Sequence, residues 1–210
     1  MVKRSTGMVR LAGLWLGVSA RVIAQTPCAE LEGATPQALL EYLQGDRSSL
    51  KPACVTHAMI NMSLAIDKKS FDRRAEAIKT LVGFLDYRLP DESPLQRAIS
   101  LNRSPIPAYD ALFIIGKPVV PSLIEAIASS VTSDIPRANA IEVVFAIYSR
   151  EDLPEAVRVL KWASEAKSST DSEAYYRLLD AARKLAGKCK GEIEYACGHA
   201  FYVDEPDSKR

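Results

Sequence analysis

The sequence predicts an all-α protein, and three observations lead to that class. Eight segments carry apolar residues at a spacing of three to four, which is the period of one helix face. No segment alternates convincingly between apolar and polar residues, as a half-buried strand would. Two stretches also match one another at an offset of 33 residues, as expected when a helical unit repeats along a chain.

Local start and stop signals and apolar spacing predict the first three helices. Thr35 is a favourable N-cap, Pro36 suits the first helical position, and Gly45 ends the segment. Apolar spacing then predicts a second helix over about 52–66 and a third over about 71–85.

Prolines and glycines delimit the next four helices. A fourth is expected over 109–115, where Gly116 permits a left-handed exit. Proline-started or acid-started helices follow over about 118–130, 134–148 and 153–166.

An eighth helix is predicted from a capping box at Thr170-Asp-Ser-Glu173. The hydroxyl and the carboxylate of such a box each satisfy an amide that the first helical turn leaves unpaired. Gly187 is expected to end this helix.

Two repeat units stand out, over about 105–132 and 136–167. The segment 120–127 lies over 153–160 at the 33-residue offset, and the helices before them also match. Each unit is an apolar helix, a tight turn and a proline-started helix, and it cannot bury both apolar faces alone. The units are therefore expected to stack on their neighbours.

The stretch Ala111-Leu-Phe-Ile-Ile-Gly-Lys-Pro-Val-Val-Pro-Ser-Leu-Ile-Glu-Ala-Ile127 resembles a HEAT repeat of the bacterial type. The resemblance implies a short right-handed stack of antiparallel helix pairs, commonly with a protein-binding surface and without catalytic residues. It departs from a regular series where a stretch of roughly 20 residues, about 88–107, interrupts the repeats.

The first 24 residues have the pattern of a signal peptide. Three basic residues precede a short apolar segment, 11–18, and cleavage is expected after Ala24, with Ala20 as a second choice. No apolar run reaches the roughly 18 residues of a membrane-spanning helix. The prediction is a secreted or periplasmic protein without membrane insertion, with a single domain over 25–203 and a flexible tail over 204–210.

The charge balance disfavours nucleic acid as a partner. The chain has 27 lysines and arginines against 26 acidic residues, and the four basic residues before Gln25 create this balance. The remainder has 23 basic and 26 acidic residues, whereas phosphate binding needs a clustered basic surface.

Four cysteines in an exported chain predict disulfide bonds. We favour the two local pairs, Cys28–Cys54 and Cys189–Cys197. Closing these loops stabilises the fold by roughly 3.5 and 2.6 kcal/mol on the chain-entropy estimate. The alternative is a metal-binding protein that uses Cys54, His57, Cys197 and His199, but the spacing forms no two-plus-two zinc pattern. No metal or cofactor is therefore predicted.

No catalytic motif is present, which favours a non-catalytic interaction or scaffold module. A nucleophile elbow, a phosphate loop, a dinucleotide fingerprint and a helical zinc motif are all lacking. The expected partner is a protein or peptide that contacts Glu125 in one unit and Arg158, Lys161 and Trp162 in the next. Trp162 is expected to pack in the core, with an exposed binding anchor as the alternative. The oligomeric state stays open.

A small hydrolase is the alternative function. Two nearby carboxylates suffice for some hydrolases, and Asp91-Glu92 lies in the long loop 90–107. A second acidic pair, Glu192 and Glu194, is interpreted as part of the loop between the last two cysteines.

Overall fold

The computed structural model describes residues 28–68, 71–90, 104–148 and 152–202, and these residues form an all-α fold without strands. The fold class predicted from sequence is thus confirmed. The α-helices are α1 Pro36–Gln44, α2 Pro52–Asp67, α3 Arg74–Gly83, α4 Pro107–Ile115, α5 Val120–Ala128, α6 Asp134–Ile147, α7 Leu153–Glu165, α8 Ser172–Ala186 and α9 Glu194–Tyr202. Four 3-10 turns accompany them at Ala29–Leu31, Arg47–Ser49, Lys117–Val119 and Gly191–Ile193. The predicted signal peptide, the 204–210 tail, and Asp91 and Glu92 of the long loop lie outside the described residues.

The helix caps predicted at Thr35, Gly45 and Gly116 are present in the structure. The Thr35 hydroxyl accepts a hydrogen bond of 3.3 Å from the Ala38 amide, and α1 ends at a Gly45 cap. Gly116 has a φ of 73°, so a side chain there would be strained, and the chain turns by 110° between Pro107–Ile115 and Lys117–Ala128.

The capping box predicted for α8 is wrong in its details. Asp171 is the N-cap, and its carboxylate accepts a 2.9 Å hydrogen bond from the Ala174 amide. The Thr170 hydroxyl instead donates to the Lys167 carbonyl in the preceding turn, and Glu173 pairs with Arg177. A carboxylate and a threonine at adjacent positions competed for one cap, and the carboxylate occupies it.

The sequence did not predict α9. Glu194 is expected in the loop between the last two cysteines, yet Glu194–Tyr202 forms a helix that packs on α7 and α8. Its inner face comprises Cys197 and Ala200, with Ile193 and Phe201 partly buried beside them. That spacing of four, three and one residues is the helical signal that could have revealed it.

One hydrophobic core runs through the described helices. Its largest fully buried side chains include Leu40, Met59, Leu112, Leu123 and Leu160, which come from five different helices. The most extensive contacts join α1 to α2, α2 to α4, α5 to α6, α7 to α8, and α9 to α7. The division into repeats over 105–132 and 136–167 stays a prediction.

In the part of the chain that is described, no single helix is both long and apolar enough to cross a membrane. The bent pair Pro107–Ile115 and Lys117–Ala128 meets that test only when taken together.

Disulfide bonds connect the cysteines as predicted, Cys28 to Cys54 and Cys189 to Cys197, with Cα–Cα distances of 5.1 and 6.4 Å. All four cysteines are buried. Two such bonds are compatible with an oxidising compartment.

Candidate partner-binding surface

The outer face of α7 carries an exposed tryptophan beside an arginine. The helix buries Leu153, Val157 and Leu160 in the core, so its register turns residue 162 to the opposite side. Trp162 is 48% exposed, so the expectation that it packs in the core is wrong, and the alternative of an exposed side chain holds. The signal that could have placed it is the helical spacing of Leu153, Val157 and Leu160, which marks the inner face and leaves residue 162 on the outer one.

Ion pairing orders the arginine beside this tryptophan. The Arg158 Nη1 atom lies 2.6 Å from Glu155 Oε2, and its guanidinium carbon lies 6.0 Å from the centre of the Trp162 ring. That distance permits a cation–π attraction. The pair offers an aromatic surface and hydrogen-bond donors on one rigid helix.

Lys161 contributes little accessible surface. Its side chain is only 11% exposed, and Nζ lies 3.5 Å from Glu165 Oε1. Of the three predicted contacts on α7, Arg158 and Trp162 therefore offer most of the contact area.

Glu125 is exposed on α5, a helix that is not among the main packing partners of α7. The most extensive contacts of α5 are with α6 and α8, whereas those of α7 are with α8 and α9. Glu125 and Arg158 thus belong to two helices that both pack on α8 rather than mainly on each other.

Three further exposed apolar side chains were not predicted. Val131, Ile135 and Tyr176 are 92%, 68% and 66% exposed. Val131 lies in the loop after α5, Ile135 in the first turn of α6 and Tyr176 in the second turn of α8, so no local periodicity in the sequence connects them.

The structure describes the candidate metal ligands and one of the two acidic pairs of the hydrolase alternative. Cys54 and Cys197 are in disulfide bonds and offer no thiolate, His57 is half-buried on α2, and His199 is exposed on α9. Within the described ranges, no three His, Cys, Asp or Glu side chains are grouped to hold a metal ion. Glu192 and Glu194, the second acidic pair, are exposed.

No protein-family model, curated protein or solved structure matches this chain. The class defined by the fold and its bonds is an all-α protein with two buried disulfides.

Proposed function

We propose that this protein is an exported, non-catalytic interaction module of HEAT-like helical repeats that binds a protein or peptide partner. The surface it uses is the outer face of α7, with Arg158 and Trp162 as the main contacts, Glu125 on α5 as a further contact, and Lys161 as a minor one. The observation that carries the proposal is the half-exposed Trp162 ring beside an ordered guanidinium. Tryptophan and arginine are the residue types most enriched among interface hot spots.

Export is supported by the basic and apolar segments before Ala24 together with the two disulfides. Expression of the full chain in a bacterial host tests this part. We expect a periplasmic form that begins at Gln25 and whose intact mass is lower by four hydrogens than that of the reduced chain. A full-length cytoplasmic product with free thiols would contradict export.

The rigid placement of the two side chains supports the binding role. Trp162 and Arg158 lie on a helix anchored by the buried residues of its inner face, so little side-chain and backbone freedom is lost when a partner binds. A stacked helical fold commonly presents such surfaces to extended ligands.

The test is a cross-linking pull-down from the envelope fraction of the native host, followed by titration of the purified partner. Three forms are compared: wild type, Trp162→Ala, and the charge-reversed pair Glu125→Lys/Arg158→Glu. We expect one specific partner whose affinity falls about 30-fold in Trp162→Ala, the scale of a hot-spot residue.

The matched control is Tyr195→Ala, which removes an exposed aromatic ring from α9 instead. It should bind like wild type. Equal binding by all variants would overturn the assignment to α7. A folded, monomeric protein that captures nothing would overturn the interaction role itself.

A further inference from the structure

Two arginines from different helices hold the C-terminal end of α5. Arg137 of α6 donates a 3.1 Å hydrogen bond to the Ser129 carbonyl and a further one to the Thr132 carbonyl. Arg177 of α8 donates a 2.8 Å hydrogen bond to the Ala128 carbonyl. The Ala128 and Ser129 carbonyls lie at a helix end that lacks intrahelical donors, and Thr132 lies in the loop that follows. Side chains from α6 and α8 therefore converge on the end of α5.

Apolar side chains that are not buried in the core are exposed to solvent at this place. We call it the α5-end surface and define it by Val131 and Ile135 with the acidic residues Asp134 and Glu173. Val131 is the most exposed of the large apolar residues described, and its amide donates a 3.3 Å hydrogen bond to the Ser129 hydroxyl. This bond and the one from Arg137 to the Thr132 carbonyl restrain the loop that presents Val131, which lowers the entropic cost of binding.

The charged groups that face solvent at this surface are carboxylates. Asp134 and Glu173 pair with Arg137 and Arg177, but the two carboxylates face solvent, whereas the arginine side chains are only 19% and 21% exposed. A cation that approaches from solvent meets the carboxylates before the covered guanidinium groups.

The apolar area argues for a small occupant. Two largely exposed aliphatic side chains present on the order of 200–300 Å². A stable dimer buries about 800 Å² on each partner. A short segment fits this area better than a second copy of the chain.

We propose that the α5-end surface docks a short segment of another protein, in which an apolar side chain contacts Val131 and Ile135 while a neighbouring lysine or arginine pairs with Asp134 or Glu173. The inference rests on the proposed function in that the protein acts by binding, but it does not use Trp162.

The test uses the full exported chain and a display library of short random peptides. We expect selection of sequences that combine an apolar residue with a nearby lysine or arginine. A selected peptide should bind about tenfold more weakly to Val131→Asp and to Ile135→Asp, and its affinity for wild type should fall as salt rises. Tyr195→Asp, an equally exposed aromatic position on α9, is the matched control and should bind normally. Because Val131 is exposed, its substitution leaves the fold intact, which circular dichroism verifies.

Several results would overturn the proposal. One is the selection of peptides that lack basic residues. Another is a selected peptide whose affinity for Val131→Asp equals its affinity for wild type. Another is dimerisation in analytical ultracentrifugation that Val131→Asp abolishes, which would make a second copy the occupant. Peptides lost only in Trp162→Ala would refute this surface and leave the proposed function standing. If neither the display selection nor the envelope pull-down yields a binder, both proposals fail.

Discussion

The two disulfide-linked ends of the molecule differ in what each bond encloses. The Cys28–Cys54 bond joins the turn Ala29–Leu31 to α2, and the whole of α1 lies inside the loop that it closes. The Cys189–Cys197 bond closes a loop with a sequence separation of 8 that contains one 3-10 turn and the start of α9. Similar buried bonds therefore restrain very different lengths of chain.

The outer surfaces of the two ends differ as well. On α1 the exposed side is polar, with a Gln37–Glu41 hydrogen bond of 2.6 Å along it. On α9 the exposed side carries Tyr195, His199 and Tyr202. An isolated helix of nine residues is marginal in water, so α9 depends on its bond and on α7 and α8. The N-terminal bond encloses a helix that buries three leucines in the core, whereas the C-terminal bond holds a helix whose buried residues are Cys197 and Ala200.

Removing the N-terminal bond should have the largest effect on stability. The variant Cys28→Ala/Cys54→Ala should lose roughly 3.5 kcal/mol of unfolding free energy, because it frees the longer loop in the unfolded state. Urea denaturation of the variant against wild type measures the loss. A loss smaller than that of the C-terminal variant would show that loop length does not govern these two bonds.

Removing the C-terminal bond should cost less and act locally. The variant Cys189→Ala/Cys197→Ala should lose roughly 2.6 kcal/mol. Hydrogen exchange should accelerate over 194–202 while α1 keeps its protection, because α9 alone cannot remain helical. Uniform acceleration throughout the chain would contradict the local role.

Acid should lower the stability of the N-terminal end, and this effect should be smaller than the loss of either disulfide bond. A hydrogen bond from Lys51 lowers the pKa of Glu30, hydrogen bonds from Ser48 lower the pKa of Asp46, and hydrogen bonds led by that from Arg73 lower the pKa of Glu76. A carboxyl whose pKa is lowered by folding stabilises the fold above its unfolded pKa and loses that contribution as pH falls through the folded value. The window therefore lies below about pH 4, and solvent exposure keeps the effect small.

The matching measurement compares wild type with Glu30→Gln/Asp46→Asn/Glu76→Gln across pH. The variant should be less stable near neutral pH, and the two stabilities should converge as the pH falls through the lowered folded-state pKa values and the wild-type carboxyls become protonated. A gap that stays constant across this range would mean that protonation of these groups is not linked to folding.

Much of the helical framework could be predicted from sequence because its signals are local. Thr35 and Gly45 delimit α1, and Gly116 ends α4, since capping and left-handed turns depend on a few adjacent residues. The disulfide pairing followed from the proximity of the cysteines along the chain. Errors arose where two local signals competed, as at Thr170 and Asp171, or where a short helix needed partners, as in α9.

The sequence by itself determined the fold class, most helix limits and which cysteines pair, because periodicity, caps and short loop closures are properties of neighbouring residues. Only the tertiary structure decided that α2 packs most extensively on α4 and α9 on α7, because contacts between helices distant in sequence depend on how the whole core packs. The tertiary structure also decided that Arg137 and Arg177 meet at one helix end. These two residues are 40 positions apart, and only the packing of α6 and α8 around α5 brings them together.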